Sequence, residues 1–221
     1  ERFHYGGMPT GISTRPETYE PWEFTYEDRY DLSAMGRVWY LEAWARATSG
    51  DAEGLLGGLR TVSRVGRENN YFWHERYHPD GKGGVLAAGP NTYCEYPANL
   101  IRIVQRFLLG VDMRLDSSLV LLPVVPEGFW QKGFGQTLAF RGRTLRYHMM
   151  ENRIEGTYIG TGSLKLGVRL PAHKGASTVD AVINGRHAST TEQGGLIFVT
   201  LPRTDPTRSY QFQIMRTKKG D

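Results

Sequence analysis

The apolar residues of this chain change their spacing near residue 115, and that change limits the fold more than any other feature. Upstream they recur every three to four residues, the period of a helix with one buried face. Downstream they alternate, the period of a strand with one buried face. Met35, Val38, Trp39, Leu41 and Ala45 form the first helical set, capped by Asp31 or Ser33 and stopped by Gly50. Asp51 then caps a second helix to about Gly66, with Leu55, Leu56, Leu59 and Val62 on one face. The short link makes the two an antiparallel hairpin. A third helix starts at Pro97, a favoured first helical position, and stops at Gly110. From Leu119 onward, Leu145/Tyr147/Met149, Leu164/Leu166/Val168/Leu170, Val179/Ala181/Ile183 and Tyr210/Phe212/Ile214 alternate with polar residues. Asn184-Gly185 and Gly194-Gly195 supply turns, and Gly133-Phe134-Gly135 reads as another. The expectation is an α+β, multidomain chain: a helical segment over residues 1–115 and an antiparallel β-sandwich over 116–221.

The first helix is apolar around much of its circumference, with Trp39, Tyr40, Leu41 and Trp44 on several faces. All-round apolarity implies burial on several sides. Residues 1–115 are therefore expected to pack against something outside this chain.

Two segments between the helices concentrate rings and carboxylates. One is Phe72-Trp73-His74-Glu75-Arg76-Tyr77, and the other is Asn91-Thr92-Tyr93-Cys94-Glu95-Tyr96-Pro97. Aromatic rings stack on the apolar faces of sugars, and carboxylates move protons at the glycosidic bond. Trp73 reads as a sugar platform or as a ring that lowers the local polarity. Arg76 reads as a partner that keeps Glu75 a carboxylate or binds a substrate hydroxyl. Tyr77, Asn91 and Tyr93 add hydrogen-bonding groups. Glu75 and Glu95 are the catalytic candidates, and Glu95 is equally placed to cap the Pro97 helix. Residues 67–94 read as one long irregular loop around Gly81-Lys82-Gly83-Gly84. The N-terminal segment Tyr19–Asp31 is denser still in rings and acids, and Trp22, Glu23 and Asp28 are its candidates for lining a cleft.

Other chemistries lack their residues. Cys94 is the only cysteine, so an internal disulfide and a cysteine-based zinc site are excluded. His74 and His78 have helical spacing but run directly into Pro79 and Gly81, so no metal is expected. No phosphate loop, dinucleotide fingerprint or Gly-x-Ser-x-Gly elbow is present, and no cofactor is expected. The net charge is only +4 and the basic residues are scattered, which does not favour nucleic acid. No apolar run is long enough for a membrane helix.

The order of these motifs resembles a known family. A helical hairpin leads into Trp73-His74-Glu75-Arg76-Tyr77, then a Gly-rich loop, then Asn91-Thr92-Tyr93. A last helix ends in Phe107-Leu108-Leu109-Gly110, and the Pro-rich Leu122-Pro123-Val124-Val125-Pro126-Glu127-Gly128-Phe129 leads into the strands. This resembles the C-terminal end of the six-hairpin glycosidases, whose catalytic domain is an (α/α) toroid, and locally the bacterial α-L-rhamnosidase type. There a Trp-Glu-Arg-Trp segment carries the general base, and Glu75 falls on its glutamate, with His74 inserted. The resemblance implies an inverting glycoside hydrolase acting on a carbohydrate. It also implies a general acid earlier in the sequence, on the remainder of the same enzyme or on a partner chain that completes the toroid. Two other readings stand beside it. One is a polysaccharide lyase using Asn91, Tyr93 and His78. The other is a non-catalytic carbohydrate-binding protein.

Overall fold

The computed structural model describes residues 4–5, 8–9, 33–79, 85–171, 177–204 and 208–218. The side chains of residues 4, 5, 78, 79, 85 and 218 lie outside that description. The chain divides into two compact units between Leu108 and Leu109.

Unit 1 contains β1 (His4–Tyr5), β2 (Met8–Pro9), β3 (Ala34–Met35), α1 (Gly36–Ser49), α2 (Ala52–Glu68), β4 (Arg76–Pro79), β5 (Val85–Ala88) and α3 (Glu95–Ile103). The expected hairpin of α1 and α2 is present. Gly50 closes α1 in the left-handed region at φ 74°, and the Asp51 side chain accepts the N–H of Gly54 at 2.9 Å to cap α2. Arg46, in the last turn of α1, pairs with both Glu42 and Asp51, so one guanidinium ties the end of α1 to the start of α2. Leu55, Leu59 and Val62 of α2 and Trp39 and Ala43 of α1 are buried, as the helical spacing requires.

Three details differ from expectation. The cap of α1 is Met35, in extended conformation and without a side-chain bond; Asp31 lies outside the described residues, and Ser33 sits before the short β3. The third helix starts two residues before Pro97, at Glu95, and its end widens into a π-turn over Val104–Leu108 that buries Phe107 and Leu108. The segment 67–94 is not one irregular loop. β4 and β5 pair antiparallel within it, and β3 pairs with β4 through Ala34↔Tyr77 and Met35↔Arg76. Four-residue strands carry too little alternation to stand out from a loop in the sequence.

Unit 2 contains β6 (Val111–Met113), β7 (Leu119–Leu121), α4 (Glu127–Lys132), β8 (Phe134–Phe140), β9 (Arg143–Met150), β10 (Arg153–Gly160), β11 (Leu164–Val168), β12 (Ser177–Ile183), β13 (Arg186–His187), β14 (Thr191–Gln193), β15 (Leu196–Leu201) and β16 (Tyr210–Lys218). One sheet is antiparallel in the order β13-β12-β16-β10-β9-β8, and the other runs β14-β15-β11-β7-β6. Each turns an apolar face inward. Leu145, Tyr147, Met149, Ile154, Tyr158, Phe212 and Ile214 are buried in the first, and Leu119, Leu121, Leu164, Leu166 and Val168 in the second. These are the two half-buried sheets from which a β-sandwich is made.

The second sheet is not purely antiparallel, because β7 and β11 run parallel through Leu166↔Leu119 and Val168↔Leu121. Its other face carries a smaller apolar cluster of Val120, Leu196 and Phe198. Gly133-Phe134-Gly135 is not a free turn: Gly133 ends the short α4 and Phe134 opens β8. Asn184 and Gly185 take φ of 48° and 78°, the two left-handed residues a tight hairpin turn needs between β12 and β13.

Candidate functional site

The two glutamates singled out from sequence meet on one arginine. Arg37, in the first turn of α1, places Nη2 3.3 Å from Glu75 Oε1 and Nε 3.3 Å from Glu95 Oε1. The other oxygen of Glu75 receives Arg76 Nη2 at 2.9 Å. The other oxygen of Glu95 accepts the backbone N–H of Arg37 at 3.1 Å. Two carboxylates and two guanidiniums thus alternate in the order Arg76, Glu75, Arg37, Glu95.

The backbone explains how they come together. Glu75 directly precedes β4, and its N–H donates to Pro90 O at 3.0 Å, which ties the two ends of the β4–β5 hairpin. Gly89, at φ 73°, leaves room for the glutamate: a Cβ there would lie 2.8 Å from Glu75 Oε2. Glu95 opens α3 and stands against the start of α1, so closely that a Cβ on Gly36 would lie 2.7 Å from the Glu95 Cβ. Asn99 Nδ2 donates to Gly36 O at 2.7 Å and fixes the same approach. Glu95 therefore serves as cap to a neighbouring helix. Met35 offers the first turn of α1 no side-chain acceptor, and Glu95 supplies one from outside.

Beside the charges lies a cluster of rings in tilted and edge-to-face contact. Trp39 and Tyr96 are 6.0 Å apart, Tyr77 and Tyr96 5.6 Å, and His74 and Tyr77 6.2 Å. The Tyr77 hydroxyl accepts the N–H of His74 at 3.1 Å, and His74 Nδ1 lies 3.1 Å from Gly89 O. Burial pushes the Tyr77 hydroxyl above the usual tyrosine range, and the His74 bond partly offsets this. Tyr96 is pushed well above it by near-complete burial, reinforced by Tyr77, Glu95 and Glu42.

Two sequence assignments change. Trp73 is not an exposed sugar platform. Its indole is buried, its Nε1–H donates to Val62 O at 3.0 Å, and its ring fills the space over Gly66. Tyr77 is likewise a buried core ring. Asn91 is exposed in the turn before α3, and Tyr93 is half-buried, with its N–H on Trp73 O at 3.1 Å. Trp22, Glu23 and Asp28 lie outside the described residues, as does the side chain of His78.

Arg37 is the residue that sequence reasoning missed. It lies 38 residues from Glu75 and 58 from Glu95, and an arginine near a helix start carries no local mark of such a role. Among the described residues no group of three or more His, Cys, Asp or Glu could hold a metal ion. No described helix is long and apolar enough to cross a membrane.

No protein-family model and no curated protein matches the chain. Solved structures that resemble part of it include a GH127 β-L-arabinofuranosidase from Geobacillus stearothermophilus, with 16% identity, a TM-score of 0.35, 56% of this chain and 19% of that one. A GH30 endoxylanase from Clostridium papyrosolvens shows 12% identity, a TM-score of 0.26 and coverage of 37% and 22%. A subfamily 8 xylanase of glycoside hydrolase family 30 from Clostridium acetobutylicum shows 10% identity, a TM-score of 0.24 and coverage of 35% and 21%. All three are glycoside hydrolases, and this chain spans about a fifth of each. Likenesses this slight carry no argument about its activity.

Proposed function

We propose that this chain carries one wall of the active site of an inverting glycoside hydrolase of the helical-toroid, α-L-rhamnosidase-like type. The observation that carries the reading is Arg37 spanning Glu75 and Glu95. Its guanidinium touches both carboxylates, and Arg76 closes on the other oxygen of Glu75, so the candidate base is held in one position. The arginines on either side pair with Glu75 as a carboxylate, the form a general base needs.

In this reading Glu75 takes a proton from water as the water oxygen bonds to the anomeric carbon. The glycosidic C–O bond breaks on the opposite face, and the leaving oxygen takes its proton from an acid outside these 221 residues. Arg37 and Glu95 hold the base in place.

A second observation supports a larger helical assembly. Leu41 and Trp44 of α1 and Ile101 of α3 remain 43%, 58% and 67% exposed. Helices that end their packing in unit 1 would turn such side chains inward, and further helices of a toroid would cover them.

The test is Glu75→Gln in the longest natural form of the protein, assayed on a panel of aryl glycosides that includes α-L-rhamnopyranoside. Loss of a general base lowers turnover by about 10²–10⁴-fold. Proton NMR of the first product formed by wild type should show the opposite anomer to the substrate. Turnover by the variant near that of wild type removes Glu75 from the chemistry.

A further inference from the structure

The outward face of the six-stranded sheet carries a second polar surface, separate from the Arg37 cluster and confined to unit 2. Strand register lays its side chains in rungs. Val182 pairs with Gln213, Gln213 with Glu155, and Glu155 with His148. In the next rung Gln211 pairs with Thr157 and Thr157 with Arg146. The neighbours of these residues along each strand, Tyr158, Phe212, Ile214 and Tyr147, are the buried ones, so the rungs face outward.

Over two of these rungs the surface is concave. A cavity of about 420 Å³ is lined by Glu155, Thr157, Gln211, Gln213, Asn184 and Val182, among others. Asn184 overhangs it from the β12–β13 turn, where its Oδ1 accepts the N–H of Gln211 at 2.8 Å and fixes the amide in place. Gln213 Nε2 donates to Glu155 Oε2 at 3.4 Å, so the floor is held by its own cross-strand bonds.

We infer that this concavity is a non-catalytic binding site for a neutral saccharide. The walls decide the ligand class. Three primary amides, a threonine hydroxyl and a carboxylate offer donors and acceptors side by side, and sugar hydroxyls are both at once. The charge of Glu155 is met by Arg153 Nε at 3.6 Å, so the floor carries no unpaired acid. An apolar ligand would give the amides no partner. The cavity is the size of small-ligand sites, about 300–1,000 Å³. The site stands whether or not Glu75 is a catalytic base.

Affinity electrophoresis of the 221-residue chain tests this, in gels containing arabinan, xylan, galactan or mixed-linkage β-glucan, with polygalacturonate as an acidic control. Three proteins are compared: wild type, Gln211→Ala/Gln213→Ala and Glu75→Gln. The expected result is retardation of wild type in at least one neutral gel, kept by Glu75→Gln and reduced at least fivefold in the double variant. Circular dichroism confirms that the double variant is folded. Where it is not, Thr157→Arg fills the cavity from an outward-facing position and replaces it. Three outcomes overturn the inference: no retardation of wild type in any neutral gel, equal retardation of a folded cavity variant, or retardation by polygalacturonate alone.

Discussion

Glu95 holds Arg37 by both its main chain and its side chain. One carboxylate oxygen accepts the Arg37 backbone N–H at 3.1 Å, and the other lies 3.3 Å from Arg37 Nε. The helix start and the guanidinium that reaches Glu75 are thus positioned by one side chain from another helix. Glu95→Ala removes a helix cap and is expected to cost about 0.5–2 kcal/mol. Glu95→Gln keeps an acceptor and is expected to cost less than half of that. Urea denaturation of the two variants checks the order. Equal costs would mean that the charge pair, and not the cap, is what Glu95 contributes.

Arg37 itself is half-exposed, and exposed ion pairs contribute about 0–1 kcal/mol. Arg37→Ala should therefore leave the denaturation midpoint nearly unchanged while freeing the two carboxylates from each other. In the full-length enzyme the glycosidase reading expects kcat to fall at least tenfold, with Arg37→Lys recovering part of it. A kcat within twofold of wild type for Arg37→Ala would separate Arg37 from the chemistry.

Asp51 links acid stability to the α1–α2 hairpin. The Gly54 N–H, opposed by partial burial and assisted by Arg46, holds the Asp51 carboxyl below its ordinary value. The unfolded chain therefore binds this proton first as pH falls. The stabilisation is complete above about pH 4 and is lost as pH drops through the folded value. Asp51→Ala is expected to cost about 1 kcal/mol at neutral pH. The gap between variant and wild type should close in strong acid. Urea midpoints at pH 7 and pH 2.5 measure it, and a gap that stays constant would contradict the linkage.

Tyr96 is 1% exposed, and its hydroxyl has no hydrogen-bond partner among the described residues. Tyr96→Phe keeps the ring contacts with Trp39 and Tyr77 and removes the orphan group. It is expected to stabilise by up to about 1 kcal/mol. The Tyr96 hydroxyl lies far above its unfolded value, so wild type loses stability as pH rises past about 10, where the unfolded chain ionises first. The Phe variant should lose less over that range. Destabilisation by more than 1 kcal/mol at pH 7 would show that the hydroxyl is bonded after all.

The legible parts of the sequence are those where local chemistry decides structure. Asp51 after Gly50 announces a helix stop and a helix start, and both form. The alternation of Leu164, Leu166 and Val168 gives β11, and Asn184-Gly185 gives the turn between β12 and β13. The partner of Glu75 was not legible, because Arg37 reaches it through the pairing of β3 with β4, where Met35 lies opposite Arg76, and no window of sequence contains that pairing. The burial of Trp73 was not legible for a related reason. A ring beside a glutamate looks the same whether it stacks on a sugar or fills a groove, and only Gly66, one helix earlier, leaves the groove open. The β4–β5 hairpin was missed because its strands are four residues each.

The parallel pairing of β7 with β11 sets an order of assembly. Leu119 must wait for Leu166, and the intervening β8, β9 and β10 form a local meander in the other sheet. Neighbouring hairpins close over a few residues, whereas β7 carries the entropy of a much larger loop before it gains a partner. During synthesis β7 thus leaves the ribosome as an apolar edge with β6 on only one side, and it stays open until β11 follows. Until then Leu119, Val120 and Leu121 are the part of unit 2 most exposed to association with another chain.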